Sequence, residues 1–230
     1  LLIKVKIYLD IEKTTINMTA DLTSTTMPDF VSILTQTAIA YREGNKPPAA
    51  EIVVNALLAA EKSAKQQRLN YPFEFLMGKW RLCFATGTKK VRQRGGIILG
   101  KGFYLPKFAA VYISFSASLD DASLQQSASK GEIANQVQLS PMLLKLTGPA
   151  QYLGKKNLLA FDFTQMQVSL FNRVVYHQRI RSGKVQSEDF YSQSIAKLPF
   201  FAFFLATEDF IAARGRGGGL AIWIRENSNN

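Results

Sequence analysis

From Gly78 onward the chain is a succession of short alternating apolar runs punctuated by Gly, Pro, Asn and Ser, with no helical pattern between them. That pattern confines the fold to an antiparallel meander, because parallel strands need long, usually helical, crossovers. Trp80, Leu82 and Phe84 alternate with Arg81, Cys83 and Ala85, the period of a strand with one buried face. Further strand runs are read at 96–104, 107–117, 132–139, 142–147, 157–163, 167–171, 173–180, 200–210 and 220–225. A meander this long closes into a barrel or splits into a sandwich.

Upstream the period changes to that of a helix. Phe30, Ile33, Leu34 and Ala38 share one face, with Asp29 in the first turn. Gly44 and Asn45 end this segment, and Pro48 and Glu51 open a second whose stripe is Ile52, Val53, Ala56, Leu57 and Ala60. Pro72 prevents its simple continuation. The expected organisation is a strand-like or poorly anchored leader over 1–27, a helical pair over 28–76, an antiparallel β-barrel over 77–226 and a tail over 227–230. The leader does not have the charged, apolar and small-residue order of a signal peptide, and Met18 and Met27 are read as starts of a shorter chain.

Charge and composition narrow the chemistry. Twenty-eight Lys and Arg against 17 Asp and Glu give a net charge of +11, which points to a polyanionic partner, either nucleic acid or an anionic lipid surface. The single cysteine, Cys83, rules out an internal disulfide framework, and the single histidine, His177, leaves little for a triad or a Cys/His zinc site. The longest apolar run, 198–206, falls short of the ~20 residues a membrane-spanning helix needs. It is read instead as able to present phenylalanines to a lipid interface.

Several motifs have plain explanations. Gly95 to Lys101 spells a phosphate-loop pattern, but Gly102 stands where Ser or Thr must hold magnesium, so a glycine-bounded strand is expected. Arg92-Gln93-Arg94-Gly95-Gly96 and Arg214-Gly215-Arg216-Gly217-Gly218-Gly219 look like fragments of RNA-binding segments, yet each bridges two apolar runs and reads as a hairpin turn. Neither Asp120-Asp121 nor Glu208-Asp209 forms an acid/base dyad, because neighbours in a strand face opposite ways. His177 is read as a surface residue and Cys83 as structural.

The aromatics are Phe103, Tyr104, Phe108, Tyr112, Phe115, Phe161, Phe163, Phe171, Tyr176 and the group Phe200, Phe201, Phe203 and Phe204. They suit either a packed core or a ring-lined cavity for an apolar small molecule. On the second reading Trp80, Phe84, Tyr112, Phe115, Phe161 and Phe163 line the barrel, with Trp80 and Phe84 on one face. Lys89, Lys90, Arg92, Arg94, Arg214 and Arg216 then form a basic rim that meets anionic lipid.

Gly78-Lys79-Trp80-Arg81-Leu82 resembles the opening of lipocalin barrels and, more closely, the G-x-W-R-L segment of the plastid lipid-associated protein/fibrillin family. Glu208-Asp209-Phe210, Arg214-Gly215 and the run through Trp223 to Arg225 are similar to that family's closing hairpin. Thr207 and Ile211 depart from the pattern, where the family carries Asp and Arg. The resemblance implies a lipocalin-like barrel, peripheral association with thylakoids or plastid lipid bodies, and a structural or photoprotective rather than catalytic role. It also implies binding of carotenoids, quinones, fatty acids or related lipids, with no other cofactor, and it leaves a cyanobacterial or a plastid origin open. Two alternatives stand beside it, an adaptor for a prenyl-lipid biosynthetic enzyme and, less favoured, a nucleic-acid-binding module.

Overall fold

The computed structural model describes residues 29–91, 96–117, 129–180 and 187–226, without the side chains of 88–91, 96–98 and 187–189. The expected leader and tail, Arg92, Arg94 and the Asp120-Asp121 pair lie outside the described residues. The chain is mainly β, a closed antiparallel barrel preceded by two helices, α1 (Asp29–Glu43) and α2 (Ala50–Gln67). A single turn, α3 (Phe73–Leu76), leads into β1 (Gly78–Val91), followed by β2 (Gly96–Tyr104), β3 (Ala110–Ala117), β4 (Ser129–Leu139) and β5 (Met142–Leu153). Then come β6 (Leu158–Phe161), β7 (Gln165–Leu170), β8 (Arg173–Arg179), the short helix α4 (Ser187–Ser192), β9 (Phe200–Ala206), β10 (Phe210–Gly215) and β11 (Leu220–Arg225).

Eight strands close the barrel in the order β4, β3, β1, β11, β10, β9, β6, β5, with β5 returning to β4. Two strands reach beyond it. β5 pairs with β7 as far as Thr147 and with β6 from Ala150, so the β7–β8 hairpin extends the sheet past the barrel. The exchange occurs at Gly148, where a Cβ would lie 2.1 Å from the Asp162 carbonyl oxygen, so only glycine lets the crossing chain approach. Pro149 beside it donates no hydrogen bond, and its carbonyl accepts one from Asp162 N at 3.1 Å. β1 is likewise shared, pairing with β3 over Gly78–Arg81 and with β2 from Phe84 onward.

Two cores result. Trp80, Ile113, Phe115, Ile133, Tyr152, Leu159, Phe161, Phe203, Ile211 and Trp223 fill the barrel, with Phe73 and Leu76 of α3 at one end. Outside, Leu34, Ala38, Val53, Leu57 and Ala60 of the helices cover Phe84, Phe204, Phe210, Ala212, Ile222 and Ile224. β11 therefore has both faces buried at its centre.

Several expected boundaries shift. The run 200–210 is two strands, divided where the Thr207 hydroxyl donates to Phe210 O and accepts from Phe210 N. The run 142–147 continues to Leu153, and α3 and α4 interrupt stretches with no helical period long enough to reveal them. Gly96 to Tyr104 is the expected glycine-bounded strand, and Arg216 to Gly219 makes the β10–β11 turn.

Candidate functional site

Trp80, Phe115 and Phe161 stand inside the barrel with Phe163 packed against them, but Phe84 and Tyr112 do not. Leu82 faces Trp223 while Phe84 faces Ile222, so β1 carries one extra residue, Cys83, between them. This bulge turns Phe84 out under the helices and undoes its shared face with Trp80. Tyr112 lies one parity step from the inward Ile113, its ring beneath the Lys79 ammonium at 4.1 Å.

The inward rings pack on one another. Phe161 is 5.1 Å from Phe201 and 5.3 Å from Phe163, while Phe115 meets Phe203 edge-on at 5.9 Å and Phe201 meets Trp223 at 5.3 Å. The interior is thus occupied by the protein's own side chains. Cys83 is fully buried, its thiol pushed up to about 12 by desolvation, and it acts as packing. His177 is exposed on β8.

The expected basic rim is partly internal. Arg214 donates from Nε to Glu61 Oε1 at 2.9 Å and from Nη2 to Oε2, fastening β10 to α2. Arg216 donates to the carbonyls of Lys197 and Leu198. Arg214 is thus neutralised by Glu61, whereas Arg216 is exposed and bonds only neutral carbonyls. Lys89 and Lys90 lie in β1 opposite Ile98 and Ile97, with side chains outside those described.

Most of the motif residues instead converge on one barrel end, with Arg214 and Gly215 at the other end of the β10–β11 hairpin. Trp80 Nε1 donates to Leu76 O at 2.7 Å, which holds α3 across the opening. The Arg225 guanidinium donates to the carbonyls of Phe75, Met77 and Glu208. Beside it Asp209 pairs with Arg42 at 3.4 Å, and Arg81 Nη2 donates to Lys107 O at 2.8 Å. Gly78 adopts a positive φ of 111° with the Arg225 side chain against it, and Gly215 continues β10 into the final turn.

A surface feature escaped sequence reasoning. Three loops, 105–109, 139–142 and 170–173, lie in a row, since Ala110 faces Gln138, Leu139 faces Met142 and Met142 faces Leu170. Phe171 N donates to Pro141 O at 3.0 Å, locking two of them together. They present Phe108 (79% exposed), Leu139, Met142, Leu170 and Phe171 (73% exposed) to solvent, so Phe108 and Phe171 take neither the core nor the cavity-lining place read for the aromatics. Val174, Val175 and Tyr176 continue the exposure along β8, which among the described residues pairs only with β7. The three loops carry Lys107 and Arg173 and no carboxylate. Phe171 and Asn172 both have positive φ, 48° and 62°, the backbone of a tight hairpin turn that a bulky ring adopts only at a cost. A stretch of loop punctuation contains no periodicity, so only the pairing register could show these loops on one edge.

The run 198–206, read as able to present phenylalanines to lipid, contains β9 of the barrel, with Phe203 and Phe204 buried. Among the described residues no helix is long and apolar enough to cross a membrane. No family model matches the chain. No curated protein matches it either.

Proposed function

We propose that the protein is a non-enzymatic, peripheral lipid-surface protein that docks on an anionic bilayer or lipid body through the three-loop edge. The observation that carries this reading is the contiguous row Phe108, Leu139, Met142, Leu170 and Phe171, joined by Lys107 and Arg173. Exposed apolar side chains enter the headgroup boundary while lysine and arginine meet anionic lipid, each cation contributing about 1 kcal/mol near such a surface. The net charge of +11 acts in the same direction at longer range. Photosynthetic membranes and lipid bodies are the settings that the fibrillin resemblance suggests.

The packed interior favours placing lipid outside the barrel rather than a carotenoid or quinone within it. It equally suits the adaptor reading, in which the barrel positions a biosynthetic enzyme at the membrane. A second copy is a poorer occupant of the exposed edge. In a symmetric antiparallel pairing centred on Tyr176, Arg173 of each copy would stand opposite Arg179 of the other.

The test is co-sedimentation with phosphatidylcholine vesicles with and without phosphatidylglycerol, across a salt series, for the wild type and a Phe108→Ser/Phe171→Ser variant. Binding should require the anionic lipid, weaken with salt and fall at least about tenfold in the variant. Binding indifferent to lipid charge, to salt or to the two phenylalanines would overturn the reading. Steeply salt-dependent binding to single-stranded RNA without vesicle binding would put the nucleic-acid reading in its place.

A further inference from the structure

Strand β8 ends the sheet extension, and among the described residues its outer edge is open. The whole of Arg173–Arg179 is exposed. Ile180 N donates to Thr164 O at 2.8 Å, which fixes how the backbone alternates along this hairpin. Gln178 and Tyr176 therefore turn their backbone groups toward β7, while His177 and Arg179 direct N–H and C=O away from it. Val175 is an extra residue opposite the Val168–Ser169 step, yet Tyr176–Arg179 keeps unbroken register with β7. Outward backbone groups beside the exposed side chains of Val174, Val175 and Tyr176 make a template for one more strand.

Lipid cannot provide that cover, because hydrocarbon offers no partner to an N–H or C=O group. The edge of β8 thus differs in kind from the loop row that adjoins it. Charge narrows the occupant further. Arg173 and Arg179 bracket the strand with His177 between them, and the stretch 165–180 contains no carboxylate. Neither arginine has an ion pair or hydrogen bond among the described residues. The two cations that would oppose each other in a second copy would instead meet opposite charge on an acidic strand.

We propose that β8 is the docking edge for an extended segment of a partner protein, apolar at its centre and acidic at both ends, which joins the sheet as an added strand. Backbone hydrogen bonds at His177 and Arg179 supply the attachment, and the flanking arginines supply the selection.

The test uses the full chain and a synthetic peptide of alternating valine and threonine with two glutamates at each end, set against the same peptide ended in lysines. Fluorescence polarisation of the labelled peptide reads binding, and amide hydrogen exchange at His177 and Arg179 reads its place. The glutamate-ended peptide should bind saturably and protect both amides. The lysine-ended one should bind about fivefold more weakly or worse, the worth of two cross-strand charge pairs. Arg173→Glu/Arg179→Glu should reverse the preference, a result that loss of folding cannot produce. Equal binding of the two peptides, or binding that leaves both amides exchanging freely, would overturn the proposal. So would protection of both amides in the free chain, whether by a second copy or by another part of the same one. No lipid enters these assays, so failure of the lipid-facing edge would leave their result untouched.

Discussion

The guanidinium of Arg225, the last residue of the last strand, lies 3.9 Å from the centre of the Trp80 ring at the start of the first. Three backbone carbonyls accept from the same group, one within α3, one just after it and one in the β9–β10 turn. Replacing Arg225 by Met keeps the stem but strands those carbonyls. Urea unfolding should show a loss of about 2–4 kcal/mol. Arg225→Lys should recover less than half, because one ammonium cannot serve three carbonyls in a fixed fork. A loss under about 0.5 kcal/mol for Met would remove Arg225 from the closure.

The Glu61–Arg214 pair makes stability acid-sensitive. The bidentate hydrogen bonds from Arg214 hold the Glu61 carboxyl below its ordinary value, burial working against them. A carboxylate whose folded-state pKa is depressed contributes fully above its unfolded value, about 4.3, and loses that contribution as pH falls through the lower folded-state value. Glu61→Gln should therefore cost about 2 kcal/mol near neutrality and flatten the decline of stability below about pH 4.5. Denaturant midpoints between pH 3 and 7 give the comparison, and parallel profiles for the two proteins would contradict it.

At the hairpin tip stability and membrane binding should separate. Phe171 holds a left-handed backbone that glycine adopts freely, while its ring is largely in solvent. Phe171→Gly should leave stability unchanged or raise it by up to about 1 kcal/mol, the relief of strain being offset in part by unfolded-chain entropy. Vesicle binding should nevertheless drop. A thermal scan and a sedimentation assay on the same preparation read both, and a destabilised variant would show that the ring is structural.

Phe161 tests whether the barrel is solid. Its ring is 6% exposed and stacked on Phe201. Phe161→Ala should cost about 3–5 kcal/mol and leave an apolar cavity. Benzene should then raise the melting temperature of the variant and leave that of the wild type unchanged. Equal benzene shifts would mean that the native barrel already holds space.

Much of the barrel could be read in advance because strand alternation and turn residues are local. Trp80-Arg81-Leu82 declares a half-buried strand, and Arg214 to Gly219 declares a turn, without reference to anything distant. The facing of Phe84 could not be read this way. One extra residue at Cys83 reverses the alternation, and a bulge leaves no mark on the pattern of residue types. Arg214 and Arg216 have the same composition as a rim but the contacts of clamps, since Glu61 and the Lys197–Leu198 carbonyls reach them only in the folded chain.

By itself, then, the order of residues determined an antiparallel β-body after two helices, its turns and a strongly cationic surface, because all three follow from periodicity, conformational preference and charge within a few residues. The tertiary structure decided the rest. Barrel closure set which rings fill the interior, strand register aligned Phe108, Leu139, Met142, Leu170 and Phe171 along one edge, and the meeting of α1, β1 and β11 enclosed Tyr41 among arginines. Each is a contact between segments distant in the chain, whose partners are chosen by packing and hydrogen-bond register rather than by local preference.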